Sequence, residues 1–342
     1  MDTHHQMVPM SAEQATQLNN FWFVAAQSHQ LKARPLERKI NGQRIVLFRG
    51  TQGQAHALDA RCPHRGANLA LGRLKDGCIT CPYHGWRFDG KGRVVEIPSE
   101  PPSKPVPESF VTRQYQVIEQ QGLVWVLPGE KAAAPAPVFN ELGESGLHSF
   151  SYETVVPIPF DWWIENALDV AHVPYVHGST YGEQKSVVAS YRVERQTDEL
   201  GFRARTVTSQ RYSLLTRLLH RSASHFDMHT KVTFFMPGSV VFDIDLGKGK
   251  RQVLLFNSTP EDGQSTRIWI TVLRNYLLVP AGDFIGRRFL RAVIAEDIRA
   301  SQAAVSRVSL AMDRCFNAAA DEPSLEFMRL LRLWQARELE RA

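Results

Sequence analysis

The sequence predicts an α+β protein of two domains, in which an N-terminal all-β domain precedes a C-terminal domain of antiparallel strands and helices. A chain of 342 residues with 43% hydrophobic and 22% charged residues is long enough for two globular domains. Short β-branched runs separated by Gly and Pro fill the first 140 residues, and helical and strand periodicities alternate after them. We therefore expect an N-terminal segment at 1–18, a first domain at 19–140 and a second domain at 141–342.

The first domain is predicted to consist of short strands. The runs RIVLFRG, HALDA, RVVEIP and YQVIEQQGLVWVLPG alternate or are β-branched, and turn-forming residues separate them. The segment PGEKAAAPAPVF at residues 128–139 is rich in proline and alanine. Such a composition indicates a connector between domains.

The second domain is predicted to begin with a helix over Trp162–Ala171 capped by Asp161. The runs VTFFMPGSVVFDIDL, VLLFNSTP and TRIWITVLRNYLL predict strands of one sheet. A long helix is predicted over Asp283–Val308, with Asp297 on its apolar stripe. A last helix is predicted near Ser324–Glu340. Its apolar face is expected to hold Leu325, Met328, Leu331 and Trp334.

Charge and composition exclude several classes of function. The net charge is +5, but basic residues are scattered among 35 acidic ones, so no nucleic-acid interface is expected. No segment has the pattern of a signal peptide or a membrane span, which predicts a cytoplasmic protein. Four cysteines in a chain of this length favour metal binding over a disulfide framework.

Three of the cysteines lie close together in CPHRGANLALGRLKDGCITCPYHGW. Cys62 and His64 form a C-x-H pair, and Cys81 and His84 form a C-x2-H pair, with 16 residues between the two pairs. Zinc ribbons close with a second C-x2-C pair, which is absent here. Two facing loops that each supply one thiolate and one imidazole have the ligand set of a Rieske [2Fe–2S] cluster. Cys78 has no ligand role in this arrangement and is expected to be a small buried residue.

A second group of candidate ligands follows in WWIENALDVAHVPYVHG. His172 and His177 are five residues apart and would diverge on one continuous helix. Pro174 should end the helix near His172 and let the chain bring His177 back toward the same point. Two histidines and one carboxylate form the usual ligand set of a non-haem iron.

Asp297 is the expected third ligand, because a carboxylate on an apolar helix stripe is costly unless it is paired or metal-bound. Glu296 and Asp283 are the alternatives. In another reading, Asp297 simply forms an ion pair with Arg299 or Arg274.

The two cysteine–histidine pairs, together with the D-x2-H-x4-H pattern at 169–177, resemble motifs of the Rieske non-haem iron oxygenases of the ring-hydroxylating type. The resemblance covers both domains. It implies a Rieske [2Fe–2S] domain followed by a helix-grip catalytic domain with a mononuclear Fe(II), and O2 as co-substrate. Chain length is closest to the homotrimeric, monooxygenase-like members, which include aminopyrrolnitrin oxygenase, saxitoxin-pathway hydroxylases and aromatic O-demethylases.

The family resemblance also implies a role for Asp169 as an electron bridge between subunits of a head-to-tail homotrimer. Its partners would be His84 or His64 on the cluster of one subunit and His172 at the iron of the next. The implied activity is hydroxylation by monooxygenation, or oxidative demethylation. Dihydroxylation and amine oxidation stay open, because one scaffold supports all four reactions.

The substrate is expected to be a moderately sized, largely apolar organic molecule. A separate reductase or ferredoxin should supply the electrons, because the chain has neither a G-x-G-x-x-G fingerprint after a strand nor a plant-type four-cysteine motif. Aromatic residues of the second domain could line the substrate pocket, or they could simply pack in the core. The candidate pocket residues are Tyr181, Phe234, Phe242, Phe256 and Trp269.

Two other functions remain open at this point. A Rieske electron-transfer or ligand-sensing protein without oxygenase chemistry would hold two irons per chain instead of about three. A zinc-stabilised binding module would hold no iron.

Overall fold

The computed structural model describes residues 18–181, 187–196, 198–211, 225–303 and 316–340. These residues form two compact units. The first holds Leu18–Val138 together with Thr259–Asp262, a short segment that the sequence assigned to the second domain. The second unit begins at Phe139 and contains the remaining described residues.

The N-terminal unit consists of two antiparallel sheets. Its strands are β1 (Phe23–Gln27), β2 (Leu36–Ile40), β3 (Gln43–Arg49), β4 (Ala55–Asp59), β5 (Arg73–Lys75), β6 (Cys78–Thr80), β7 (Arg87–Phe88), β8 (Val94–Glu96), β9 (Gln114–Gln120) and β10 (Leu123–Leu127). Six form one sheet in the order β1-β10-β9-β4-β3-β2, and β5-β6-β7-β8 form the other. The all-β prediction for this domain is confirmed.

The core of the N-terminal unit includes two of the cysteines. Cys62 and Cys81 pack in one cluster with Phe48, Leu58 and Ile79. Cys78 lies on β6 and is only half-buried, so its predicted core position is wrong. The two buried thiols therefore come from loops that are fixed by the core beneath them.

The C-terminal unit is built on one sheet of seven strands in the order β11-β17-β16-β15-β14-β13-β12. The strands are β11 (His148–Val156), β12 (Val187–Arg195), β13 (Gly201–Arg211), β14 (His225–Phe235), β15 (Ser239–Asp245), β16 (Arg251–Pro260) and β17 (Thr266–Arg274). The helices are α1 (Phe160–Leu168), α2 (Val173–Val176), α3 (Gly178–Tyr181), α4 (Pro280–Ala303) and α5 (Glu322–Leu339). Within the described residues, no helix is long and apolar enough to cross a membrane.

Two helices differ in detail from the prediction. The first, α1, begins at Phe160 after Pro159, so Asp161 is a buried residue of the first turn and not the cap. The last, α5, buries Leu331 and Trp334 as predicted, but Leu325 is 38% exposed and Phe327 and Leu330 are buried instead, so the buried face is rotated from the predicted one. Phe327 meets the ring of Phe234 at 5.4 Å between centroids. Contact with the sheet, which the periodicity alone does not specify, selects this face.

An ion pair links the start of α4 to the end of β17. Arg274 is 3% exposed, and its Nη2 donates to Asp283 Oδ1 at 2.7 Å and to the Leu277 carbonyl at 2.8 Å. His148 Nε2 lies 3.0 Å from both oxygens of Asp283. Arg274 is therefore the ion-pair partner of Asp283. Arg299, the other arginine considered as a partner of Asp297, is exposed. The long helix begins three residues earlier than expected, and residues 304–308 of the predicted helix lie outside the described residues.

We predict that Asp283→Asn destabilises the C-terminal unit by about 3 kcal/mol, because it leaves a buried guanidinium without its counter-charge. Hydrogen bonds from His148 and Arg274 outweigh burial and lower the pKa of Asp283. Its stabilisation is therefore present above the pKa of the unfolded chain and is lost as the pH falls through the lower folded-state pKa. The difference in the free energy of unfolding between variant and wild type should narrow below about pH 4.

Urea unfolding followed by tryptophan fluorescence measures this difference. Glu144→Gln is the matched control, because Glu144 pairs with Arg251 at the surface and such pairs contribute less than about 1 kcal/mol. Equal losses in the two variants would contradict the anchoring role of Asp283.

Candidate metal centres

The two cysteine–histidine loops of the N-terminal unit have the same backbone hydrogen bonds. In the first loop, Cys62 N donates to the Ala67 carbonyl at 2.8 Å, and Gly66 N donates to the Cys62 carbonyl at 2.8 Å. In the second loop, Cys81 N donates to the Trp86 carbonyl at 2.8 Å, and Gly85 N donates to the Cys81 carbonyl at 3.2 Å. Gly66 and Gly85 have φ values of +71° and +72°, which a side chain would disfavour.

The four candidate ligands of this centre separate into an inner and an outer pair. Cys62 and Cys81 are 2% and 3% exposed, whereas His64 and His84 are exposed. The two imidazole centroids are 4.6 Å apart, and His64 stacks on Trp86 at 4.5 Å. Two inner thiols and two outer imidazoles are the donor set that a Rieske cluster requires.

Burial makes the Cys62 thiol a weak acid. Burial raises the pKa of its thiol to about 11, although the backbone N–H groups of His64 and Arg65 act in the opposite direction. Metal binding at this thiol therefore releases a proton.

The second centre lies where α1 ends. The helix ends at Leu168, three residues before the predicted end at Ala171, so Asp169 and His172 both lie outside it. His172 lies at the start of α2 and His177 directly after it, with Pro174 in the first turn of α2. The proline thus begins a short helix instead of ending a long one, because its missing N–H has no intrahelical partner to lose in a first turn. One turn of helix separates the histidines.

The geometry brings three predicted ligands together. His172 Nε2 and His177 Nε2 are 3.3 Å apart, and they lie 3.5 Å and 3.2 Å from Asp297 Oδ1. Adjacent ligands about 2.1 Å from one six-coordinate ion are about 3 Å apart, so only a small contraction would be needed. Two imidazoles and one carboxylate therefore fit a mononuclear iron. Glu296 and Asp283, the two alternatives, do not belong to this group of three.

Three polar side chains contact the Asp297 carboxylate. Burial would raise its pKa, but contacts with His172, His177 and Asn166 lower it to about 2. Asn166 contributes through Nδ2, which donates to Asp297 Oδ1 at 3.1 Å. Asp297 is therefore a carboxylate, the form that binds a metal. The sequence analysis did not identify Asn166, although Asn166 lies one helical turn before Asp169 in the same motif.

Glu296 holds the outer nitrogen of one candidate ligand. Its Oε2 lies 2.9 Å from His177 Nδ1, and its Oε1 accepts from Thr180 Oγ1 at 2.8 Å. Burial opposes protonation of His177, yet contacts with Asp297 and Glu296 together raise its pKa. A carboxylate on one ring nitrogen directs the other nitrogen toward a metal. The sequence named Glu296 only as a rival ligand and gave no sign of Thr180.

Asp169 lies beside this centre. Its Oδ1 accepts from Ala171 N at 2.8 Å, and Oδ2 lies 3.8 Å from His172 Nδ1. The side chain of Asp169 is 32% exposed, while His172 Nδ1 is buried and has no hydrogen-bond partner among the described residues. Asp169 is thus close to the outer nitrogen of His172 and also open to the surface.

A cavity of about 180 Å³ opens onto the second centre. His172, His177 and Asp297 line one part of it, and Phe242 and Phe256 line another, as the sequence suggested. The other walls are mostly aliphatic. They include Val170, Val173, Ile244, Leu246, Leu254 and Val293.

The other candidate pocket residues lie elsewhere. Phe234 is fully buried between Phe202 and Phe327, because α5 covers that end of β14. Trp269 on β17 is 1% exposed and does not line the cavity. Both residues belong to the core. Tyr181 ends α3, but its side chain lies outside the described part of the structure.

We predict that Glu296→Ala lowers the affinity of the second centre for Fe(II) by about 10- to 100-fold, because the His177 ring loses its orienting carboxylate. Competition with a chromophoric ferrous chelator measures the affinity. Glu296→Gln retains an oxygen acceptor and should recover much of it. Thr180→Val removes only the hydroxyl that donates to Glu296 and should have a smaller effect. Unchanged affinity in Glu296→Ala would exclude this role.

Comparisons with known proteins agree with this geometry. Residues 21–119 match the family described as Rieske [2Fe-2S] domain, and residues 158–337 match the vanillate O-demethylase oxygenase C-terminal domain. The chain is 30% identical over 282 residues to 4beta-methylsterol monooxygenase of Methylococcus capsulatus, which is 80% of this chain and 73% of that protein. It is 36% identical over 171 residues to aminopyrrolnitrin oxygenase of Pseudomonas fluorescens, or 47% of each chain.

A solved structure of dicamba monooxygenase bound to dicamba has the same fold, with a TM-score of 0.82 at 24% identity over 95% of this chain and 100% of the other. Most of the curated relatives are matched over about half of their length or less. The oxygenase C-terminal family nevertheless matches more than half of the chain, and the Rieske domain precedes it, in the expected order. The chain therefore belongs to the Rieske non-haem iron oxygenase family.

Proposed function

We propose that this protein is a terminal oxygenase component, which uses O2 and externally supplied electrons to hydroxylate or oxidatively demethylate an organic substrate. The observation that carries the proposal is the convergence of His172, His177 and Asp297 at the wall of an apolar cavity. The relatives named as oxygenases and monooxygenases support the same reaction class.

Two sets of residues would hold the cofactors of the family. Cys62, His64, Cys81 and His84 would hold the [2Fe–2S] cluster, and His172, His177 and Asp297 would hold the mononuclear iron. When bound, the cluster supplies electrons singly and the iron supplies a site for O2.

The protein's own side chains would supply orientation and a dry environment. Glu296 fixes the His177 ring, and Asn166 fixes the Asp297 carboxylate. The aliphatic and aromatic walls of the cavity would exclude water and hold the substrate against the edge formed by the two histidines and Asp297. A cavity of about 150 Å³ accommodates benzene in another protein, so about 180 Å³ suits a single substituted ring.

A homotrimer is part of the proposal, because the family resemblance implies an electron path that runs from one copy of the chain to the next. His64 and His84 are exposed on the N-terminal unit, and Asp169 is partly exposed on the C-terminal unit. Asp169 would join an imidazole of the neighbouring copy's cluster to His172, whose Nδ1 lies 3.8 Å from the Asp169 carboxylate. A reductase or ferredoxin would deliver the electrons. A cytoplasmic location is also proposed, supported by the unpaired thiols of Cys62, Cys78 and Cys81.

We predict that His177→Ala loses the mononuclear iron and oxygenated product but retains the visible spectrum of the cluster, because the substitution removes only one ligand of the second centre. His229→Ala, an exposed histidine on β14, is the matched control and should retain both. Ferrous-iron binding and product formation with a generic reductase measure the outcome. Full turnover in His177→Ala would remove this residue from the ligand set.

We predict that Asp169→Asn retains both metals and reduces turnover by about 10- to 100-fold, since it removes a charge beside His172 and no ligand. The asparagine oxygen can still accept from Ala171 N. Asp245→Asn is the matched control, because Asp245 makes the same kind of turn with Gly247 N at 2.8 Å. The measurement is the rate of product formation at a fixed supply of reductase and reductant. Wild-type turnover in Asp169→Asn would contradict the bridging role.

A further inference from the structure

One face of the seven-stranded sheet forms a wall of the cavity. Alternate residues of neighbouring strands line it, as the two-residue period of a strand requires. In one cross-strand row, Thr206 on β13 pairs with Thr230 on β14, Thr230 pairs with Ile244 on β15, and Ile244 pairs with Gln252 on β16. Thr208 on β13 belongs to the next row. The polar residues of this wall are therefore concentrated on β13 and β14.

Two of these threonines are buried without satisfying their hydroxyl groups. Thr206 is 2% exposed and Thr208 is 5% exposed, and neither Oγ1 has a hydrogen-bond partner among the described residues. Both side chains line the cavity. Rotation about χ1 exchanges the hydroxyl and the methyl of a threonine, so either group can be presented to a ligand.

Buried hydroxyl groups in other parts of the C-terminal unit have partners. Ser239 Oγ donates to Asn257 Oδ1 at 2.7 Å, and Thr266 Oγ1 donates to the Ile158 carbonyl at 2.8 Å. The cavity residue Gln252 accepts from the Tyr276 hydroxyl. An unsatisfied buried hydroxyl costs stability, and Thr206 and Thr208 lie at the cavity. The missing partner is therefore best sought in a ligand.

We propose that Thr206 and Thr208 bind a neutral oxygen-bearing group of the substrate, such as a carbonyl, hydroxyl or ether oxygen. This inference rests on the proposed function and narrows its substrate class from apolar molecules to a single ring with one such substituent. Alternate residues of a strand are about 7 Å apart, a spacing at which two hydroxyls can flank one group. The two carboxylate residues of the lining, Asp169 and Asp297, would together balance the charge of a bound Fe(II), so the lining offers no excess positive charge to an anion.

Three probes of nearly equal shape test the inference. Acetophenone carries a neutral carbonyl, α-methylstyrene replaces that oxygen with a methylene group, and benzoate carries a charge. Their dissociation constants are measured by equilibrium dialysis on the anaerobic, iron-loaded protein, so that no turnover is needed. Wild-type protein should bind acetophenone at least about 10-fold more tightly than either of the others.

The threonine substitutions then attribute this preference to particular hydroxyls. In Thr206→Val with Thr208→Val, the preference for acetophenone over α-methylstyrene should fall to about one, whereas Thr206→Ser and Thr208→Ser should retain it. Thr233→Val is the matched control, because Thr233 lies on the opposite face of β14 and should leave the preference unchanged. A preference that persists in the double valine variant would overturn the inference. So would tighter binding of α-methylstyrene or benzoate, or no saturable binding of acetophenone.

Failure of this inference is distinguishable from failure of the proposed function. Oxygenase activity is scored separately, as oxygenated product formed with a reductase. If the protein forms product while its valine variants keep the wild-type binding preference, the proposed function stands and only the threonine site is rejected. If the protein has the threonine-dependent preference but forms no product, the oxygenase assignment is rejected and the threonine site stands.

Discussion

A single imidazole connects the local histidine motif to a helix that lies far away in the sequence. His177 Nδ1 is 2.9 Å from Glu296 Oε2, and His177 Nε2 is 3.2 Å from Asp297 Oδ1. Consecutive helical residues project about 100° apart, so Glu296 and Asp297 approach the ring from different sides and each reaches a different ring nitrogen. This constraint fixes α2 and α3 against α4. Asn166 on α1 then joins the same group through Asp297.

The arrangement gives the cavity two chemically different regions. One contains His172, His177 and Asp297, which contact one another and the Asn166 amide. The other contains the unsatisfied hydroxyls of Thr206 and Thr208 on the sheet. Aliphatic and aromatic side chains form much of the remaining wall. A substrate that satisfies the hydroxyls would be oriented relative to the histidines, because both sets of residues line the same cavity.

Local patterns were the most informative part of the sequence. The two loops that contain Cys62 and Cys81 were recognisable because each needs only a few neighbouring residues, and Asp297 stood out because its carboxylate interrupts an apolar stripe. Tertiary contacts determine the features that the local sequence patterns did not predict. The role of Glu296 depends on the position of a ring 119 residues away, and α5, packed against Phe234, makes that residue core instead of pocket. Pro174 permitted either a helix end or a helix start, and the structure has the second.

Iron and acid-labile sulfide per chain, measured on anaerobically purified and ferrous-loaded wild-type protein, test the central claim most directly. The account predicts about three irons and two sulfides per chain, with the red-brown colour of a cluster that bleaches on reduction. Two irons and two sulfides that do not change on ferrous loading would contradict it. In that case His172, His177 and Asp297 would hold no iron, and the chain would be an electron relay or a sensor.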